Sequence, residues 1–319
     1  MQTTSGNNFF GTDYEQYRYA VINYMKRYLK QINEDLQSIE PILGRVFEAS
    51  KFYDSKYNTA PNLKPALRLR YLQDSSMILL QGILKQSKKF YSAKHDINVF
   101  DAVFVVGSGL SYESDVPMMS DLTKILSFIG ATDFVELRRN MSKCYEFKKR
   151  FKEIIDRKKP GDSHYLIAKN FPSKIIEIIC LNWDNLIERA FKVIEQSPNK
   201  INKETKVIGW NHLWKFHGDT EEFNKCNTVG NLGWVFPDEG GYVFQCFKNY
   251  LTQRGLSSKL FSLFIIGYSE SDEQVQTLVN YLQNTPQRPT YRIGMEMSNF
   301  HNDQYLLGPS AYILDKILN

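Results

Sequence analysis

The sequence has little cysteine, and what it has is scattered. Cys144, Cys180, Cys226 and Cys246 form no C-x-x-C pair, so neither a zinc ribbon nor a disulfide framework is indicated. It also lacks any apolar run near the roughly 18 residues that cross a bilayer. The opening MQTTSGNNFF does not follow the charged-then-apolar order of a secretory signal. A cytoplasmic protein with no membrane partner is the expectation. Charge of one sign is not in large excess: a net charge of +5 and a pI near 8.8 are too small a surplus to imply direct binding of nucleic acid without a clustered basic stripe. No internal repeat or low-complexity tract is present. What the chain does have is 319 residues, 42% of them hydrophobic, enough for one large α/β domain or a domain plus an appendage.

The organising stretch is Val103 to Pro117, VFVVGSGLSYESDVP. Four consecutive apolar residues, Val103 to Val106, read as a parallel strand buried on both faces. Gly107 and Gly109 then remove two Cβ atoms where the backbone turns, which lets N–H groups approach an anion closely; the same G-x-G pattern also marks ordinary tight turns. Four further apolar runs follow: Ile175 to Leu181, a short one within Lys206 to Gly218, Leu260 to Ile266, and Tyr291 to Met295. Helical patterns separate them, one from Leu122 to Ile129, one from Arg138 to Lys159, one from His164 to Asn170 capped by Asp162 or Ser163, one after Asp184, one after Asp272 and a last from Gly308 to Leu318. The Arg138–Lys159 stretch is strongly basic and reads as a solvated face over an apolar stripe or as a polyanion site. Strand alternating with helix predicts an α/β fold, a Rossmann-like doubly wound parallel sheet with helices on both faces.

An N-terminal helical extension precedes this unit. Val21, Met25, Tyr28, Ile32, Leu36 and Ile39 recur at spacings of three and four before Pro41, and the stripe needs a partner, for which a second helical stretch at about Leu63 to Phe90 is available. Residues 1–94 are read as a helical arm, either packed on its own domain or serving oligomerisation or regulation, and residues 95–319 as the α/β domain.

Several polar residues fall at strand ends, where open parallel sheets bind ligands. Asn182 and Asp184 end the second strand, His217 the third, and Gly267 and Ser269 the fourth. Each has an ordinary alternative as a turn, cap or structural residue. Their order changes the reading. G-S-G-L-S, then L-N-W-D-N-L, then K-F-H-G, then I-G-Y-S-x-x-D resembles the sirtuin family over about Ala102 to Leu318.

That resemblance implies that Gly107, Ser108, Gly109 and Ser111 wrap the phosphates and ribose of NAD. It implies that Asn182 and Asp184 hold the nicotinamide ribose, Asn182 also orienting water in members that hydrolyse NAD, and that His217 acts as base toward a ribose hydroxyl. Gly267 and Ser269 match phosphate-contacting positions, and Glu296 falls near the one that reaches the adenosine ribose. Departures are equally informative. Met118-Met119-Ser120 stands where a deacylating sirtuin has D-F-R, Leu181 stands in place of a glutamine, and the paired C-x-x-C motifs are absent. These losses resemble the zinc-less, NAD-hydrolysing branch found in bacterial antiphage defence. The expectation is an NAD glycohydrolase that takes NAD as substrate and needs no metal. Control would come from homo-oligomerisation, from a partner protein of the same defence system, or from a small nucleotide signal. An NAD-dependent protein deacylase and a noncatalytic NAD or ADP-ribose sensor are the alternatives.

Overall fold

The computed structural model describes residues 14–32, 43–44, 46–47, 50, 65–93, 99, 101–112, 114, 116–117, 122, 126–132, 136, 140–196, 198–201, 212–217, 220, 241–253, 259–268, 273–284, 288–294, 304–307 and 310–319. Seven parallel strands form one sheet: β1 (Ala102–Val106), β2 (Ile175–Cys180), β3 (Asn199–Ile201), β4 (His212–Lys215), β5 (Leu263–Ile266), β6 (Thr290–Gly294) and β7 (Gln304–Leu307). Their order is β3-β4-β2-β1-β5-β6-β7. β1 lies at the centre, hydrogen-bonded to β2 on one side and β5 on the other.

All five residues of β1 are buried, because helices cover both faces. Phe104 and Val106 point into a core completed by α5 (Asp162–Asn170), α6 (Leu186–Val193) and α9 (Ser310–Leu318). Val103 and Val105 point the other way, toward α7 (Gly241–Gln253) and α8 (Glu273–Asn284). The alternation follows from the two-residue period of a strand, and the unbroken apolar run from burial on both sides. The doubly wound Rossmann-like architecture is therefore the one the sequence pattern implies. β3 and β7, at the sheet edges, and α7 have no counterpart in that pattern.

Two further helices lie in this region among the described residues, beside α5. The short α3 (Ser108–Tyr112) follows β1 directly. α4 (Met141–Asp156) begins at Asn140, whose side chain accepts from the N–H of Lys143 at 3.1 Å. Phe147, Phe151 and Ile155 on its inner face pack with Trp183 and Leu186, so this basic stretch covers an apolar stripe, one of the two readings its sequence allowed. α5 starts two residues before the expected His164, with Gly161 as its N-cap. The imidazole Nδ1 of His164, three residues into the helix, accepts the N–H of Gly161 at 3.1 Å, a job more often done there by Glu or Gln.

Among its described residues the N-terminal helical extension includes α1 (Tyr14–Gln31) and α2 (Pro65–Ala93). Val21, Met25 and Leu29 of α1 are buried with Leu72, Leu79, Leu80 and Ile83 of α2 and with Leu43, Val46 and Phe47. The stripe thus runs through Leu29 rather than Ile32, which is 39% exposed. Leu36 and Ile39 lie outside the described residues. Tyr312 of α9 packs against both this cluster and the sheet core.

Candidate functional site

From β1 the chain winds toward β2 and β4 on one side and, after returning, toward β5, β6 and β7 on the other. The order therefore reverses between β1 and β5, and open α/β sheets bind ligands outside the carboxyl ends of the strands at such a point. Three glycines meet there. A Cβ on Gly107 would stand 2.6 Å from the carbonyl oxygen of Gly267, and one on Gly109 would stand 2.6 Å from its Cα. Gly267 itself has φ +61°, a region side chains disfavour, and a Cβ there would meet Gly109 C at 2.5 Å.

The missing Cβ atoms thus let two loops touch, backbone on backbone. The N–H of Gly107 donates to Ile266 O and that of Gly109 to Gly267 O, each at 2.8 Å. The G-x-G pattern alone allows either the approach of an anion or a tight turn; these two N–H groups are engaged inside the protein.

Asn182 lies just past β2. Its Nδ2 donates to Gly107 O at 3.0 Å and to Ser111 Oγ at 3.0 Å, so both amide hydrogens are held and the orientation of the amide is set. Oδ1 is the end that these bonds leave for a ligand. Ser111 is itself held from behind by His164, whose Nε2 stands 3.2 Å from Oγ. Because Nδ1 of that ring accepts from Gly161, Nε2 carries the proton and donates. Burial pushes the pKa of His164 down to about 4, against the opposing pull of the nearby Asp184 carboxyl. The ring is neutral near pH 7.

Asp184 is buried, and its Oδ1 accepts the N–H of Leu186 at 3.1 Å. It lies one residue before the N-cap Asn185, closes an Asx-type turn onto the first residue of α6, and so braces the loop that carries Asn182. Its carbonyl oxygen accepts from Lys215 Nζ at 2.7 Å.

His217 follows β4, the strand beside β2. Cys180 and Lys215 are register partners, and Asn182 and His217 each lie two residues further along their chains. The strands are neighbours at about 4.8 Å spacing, so the two residues stand at the same level of the same edge. Phe216 N donates to Cys180 O at 3.2 Å and Thr220 N to Trp183 O at 2.8 Å, which ties the two loops together. Trp183 in turn meets Phe151 of α4 edge-on at 5.9 Å. Under the loop lie Lys215, fully buried, with Glu188 Oε1 at 3.4 Å and Cys180 Sγ at 3.5 Å. Burial raises the Cys180 thiol to about 11, with Lys215 opposing, so it remains protonated.

Gly107, Ser108, Gly109, Ser111, Asn182, Asp184, His217 and Gly267 thus stand at or just beyond the carboxyl ends of β1, β2, β4 and β5. Direct bonds join Asn182 to Gly107 and Ser111, and Gly109 to Gly267. Ser269 and Glu296 lie outside the described residues, as do Met118 to Ser120. The sequence pattern gives a role at the site to neither His164 nor Lys215. For Lys215 a signal existed, a lone lysine inside the apolar run HLWKF, since a charge in a buried strand needs partners.

Residues 176–301 match the SIR2-like domain family. The SIR2-like span takes in Asn182, Asp184, His217 and Gly267, begins inside β2, and leaves Gly107 to Ser111 outside it. The chain is also similar to a number of solved structures, three of which follow. One described as "Structural Basis for the Mechanism and Regulation of Sir2 Enzymes" is 16% identical, with a TM-score of 0.47, covering 68% of this chain and 90% of its own. A mutant Sir2 homologue in complex with ADP ribose is 15% identical, with a TM-score of 0.49 and the same coverage. "The Structural basis for Sirtuin Substrate affinity" is 17% identical, with a TM-score of 0.47, covering 72% of this chain and 96% of its own. No curated protein matches the chain significantly. Among the described residues no helix is long and apolar enough to cross a membrane.

Proposed function

We propose that this protein hydrolyses NAD at the bond between nicotinamide and ribose, releasing nicotinamide and ADP-ribose, as a regulated NAD-depleting effector of the kind used in antiphage defence. The observation that carries this reading is the state of Asn182. With both amide hydrogens anchored, it can offer only Oδ1 to a ligand. An acceptor so fixed suits a water molecule or a ribose hydroxyl. The SIR2-like match over residues 176–301 supports NAD as the substrate.

The chemistry asks little of the protein. The bond broken joins ribose C1 to a ring nitrogen that bears positive charge, and its electron pair neutralises that nitrogen as nicotinamide leaves. Water forms the new C–O bond and gives up a proton, which passes to solvent. What remains for the site is to hold the sugar, offer negative dipole ends to the developing cation and place one water. Asn182 Oδ1 accepts from that water, the imidazole of His217 accepts a hydroxyl proton, and Asp184 braces the loop. Gly107, Ser108, Gly109, Ser111, Gly267 and Ser269 surround the phosphates and the nearer ribose, and Glu296 reaches the adenosine ribose. Residues 1–94 form the arm through which self-association or a partner protein controls the activity.

The test is to incubate the purified protein with NAD, alone and with the products of neighbouring genes, and to follow nicotinamide by chromatography. Asn182→Ala and His217→Ala should each abolish its release. Parental rates in both variants would overturn the site assignment. NAD bound but left intact would point to a sensor, and NAD-dependent turnover of acyl peptides to a deacylase.

A further inference from the structure

Lys215 is among the largest fully buried side chains of the molecule, and it is the charged one among them. Burying an ammonium is costly even when it is paired, and apolar groups of similar volume commonly leave a protein as stable or more so. Methionine would fill the same space. The stability of the core therefore does not explain a lysine at this point of β4.

Its contacts do. Nζ donates to the carbonyl oxygen of Asp184 at 2.7 Å, lies 3.5 Å from Cys180 Sγ and pairs with Glu188 on the first turn of α6 at 3.4 Å. Asp184 belongs to the loop between β2 and α6, two residues after Asn182, and Lys215 lies two residues before His217. One side chain thus reaches from the strand that presents the histidine to the loop that presents the amide. A carbonyl oxygen fixed by a charged donor holds more firmly than one fixed by a neutral donor.

We propose that Lys215 is a positioning residue, which clamps the loop 181–185 to β4 and so sets the separation of Asn182 and His217 across the bond to be broken. This rests on the reading of the site as an NAD hydrolase. Lys215 acts through the carbonyl of Asp184.

The test replaces the ammonium together with its carboxylate, Lys215→Met with Glu188→Gln, so that neither member of this ion pair is left behind without the other. The protein should melt no lower than the parent. Its kcat for nicotinamide release should fall about tenfold or more with KM changed less than about twofold, the pattern of a misplaced catalytic group. Amides of residues 181–186 should exchange with deuterium faster while those of β1 do not. A parental kcat, parental exchange in the loop, or faster exchange spread evenly over the sheet would each overturn the inference. Lys215→Leu with Glu188→Met replaces the first pair if that does not fold. Should the parent neither bind nor cleave NAD, the functional reading fails, and the exchange measurement still decides whether Lys215 holds the loop.

Discussion

The side-chain nitrogen of Asn182 donates to the hydroxyl of Ser111 at 3.0 Å, joining the end of β2 to the short helix after β1. Asn182→Asp keeps the shape but removes both donors and sets a carboxylate against Gly107 O. Nicotinamide release in that variant should fall about 100-fold or more, because the fixed acceptor is lost. Asn182→Ser should fall as far while unfolding closer to the parental temperature. Comparing chromatographic rates with melting curves checks both.

His164 makes stability depend on pH. Its pKa is about 4 in the folded protein against 6.5 for the free side chain, so between these values the unfolded chain binds the extra proton. Stability therefore rises with pH across that window and is lost as pH falls from 6.5 toward 4, by up to about 3 kcal/mol for this group. His164→Gln, which can still donate to Ser111, should flatten that part of the stability profile measured by urea titration. His164→Leu should also flatten it, but should lower nicotinamide release further by freeing Ser111.

Two glycines with positive φ separate strain from crowding. Gly130 has φ +69° and open space where a Cβ would go, whereas Gly267 has φ +61° and the backbone of Gly109 in the way. Gly130→Ala should cost about 1 kcal/mol, the strain alone. Gly267→Ala should cost more than about 2 kcal/mol, because backbone must also move. Denaturant midpoints for the two variants make the comparison.

Glu177 is a buried carboxyl that receives the indole N–H of Trp214 at 2.7 Å, the backbone N–H of His212 at 3.1 Å and the hydroxyl of Tyr250. It fastens β2 to β4 and α7. Tyr250→Phe removes one donor and should cost about 1–2 kcal/mol. Glu177→Leu leaves buried donors without an acceptor and should cost about 3 kcal/mol or more. Urea unfolding of the two variants would show the difference.

The central strands were legible because each is a short apolar run stopped by a polar or glycine residue, a pattern that burial on both faces imposes. β3, Asn199–Ile201, and β7, Gln304–Leu307, were not. They are edge strands whose sequences, NKI and QYLL, are not unbroken apolar runs of that kind. The exposed position of Ile32 and the buried one of Leu29 likewise depend on how α1 rolls against α2, which spacing alone leaves open to within one residue.

Local order along the chain was enough to place Gly107, Asn182, His217 and Gly267 at strand ends, because periodicity and turn chemistry act between near neighbours. Only the tertiary structure decided what those residues do there. It gave the glycines to the contact between two loops, turned the Asn182 amide so that its oxygen is left over, and brought His164 and Lys215 behind the site from strands and helices distant in sequence. Hydrogen bonds between such partners depend on how the sheet is wound, and no short stretch of sequence contains that information.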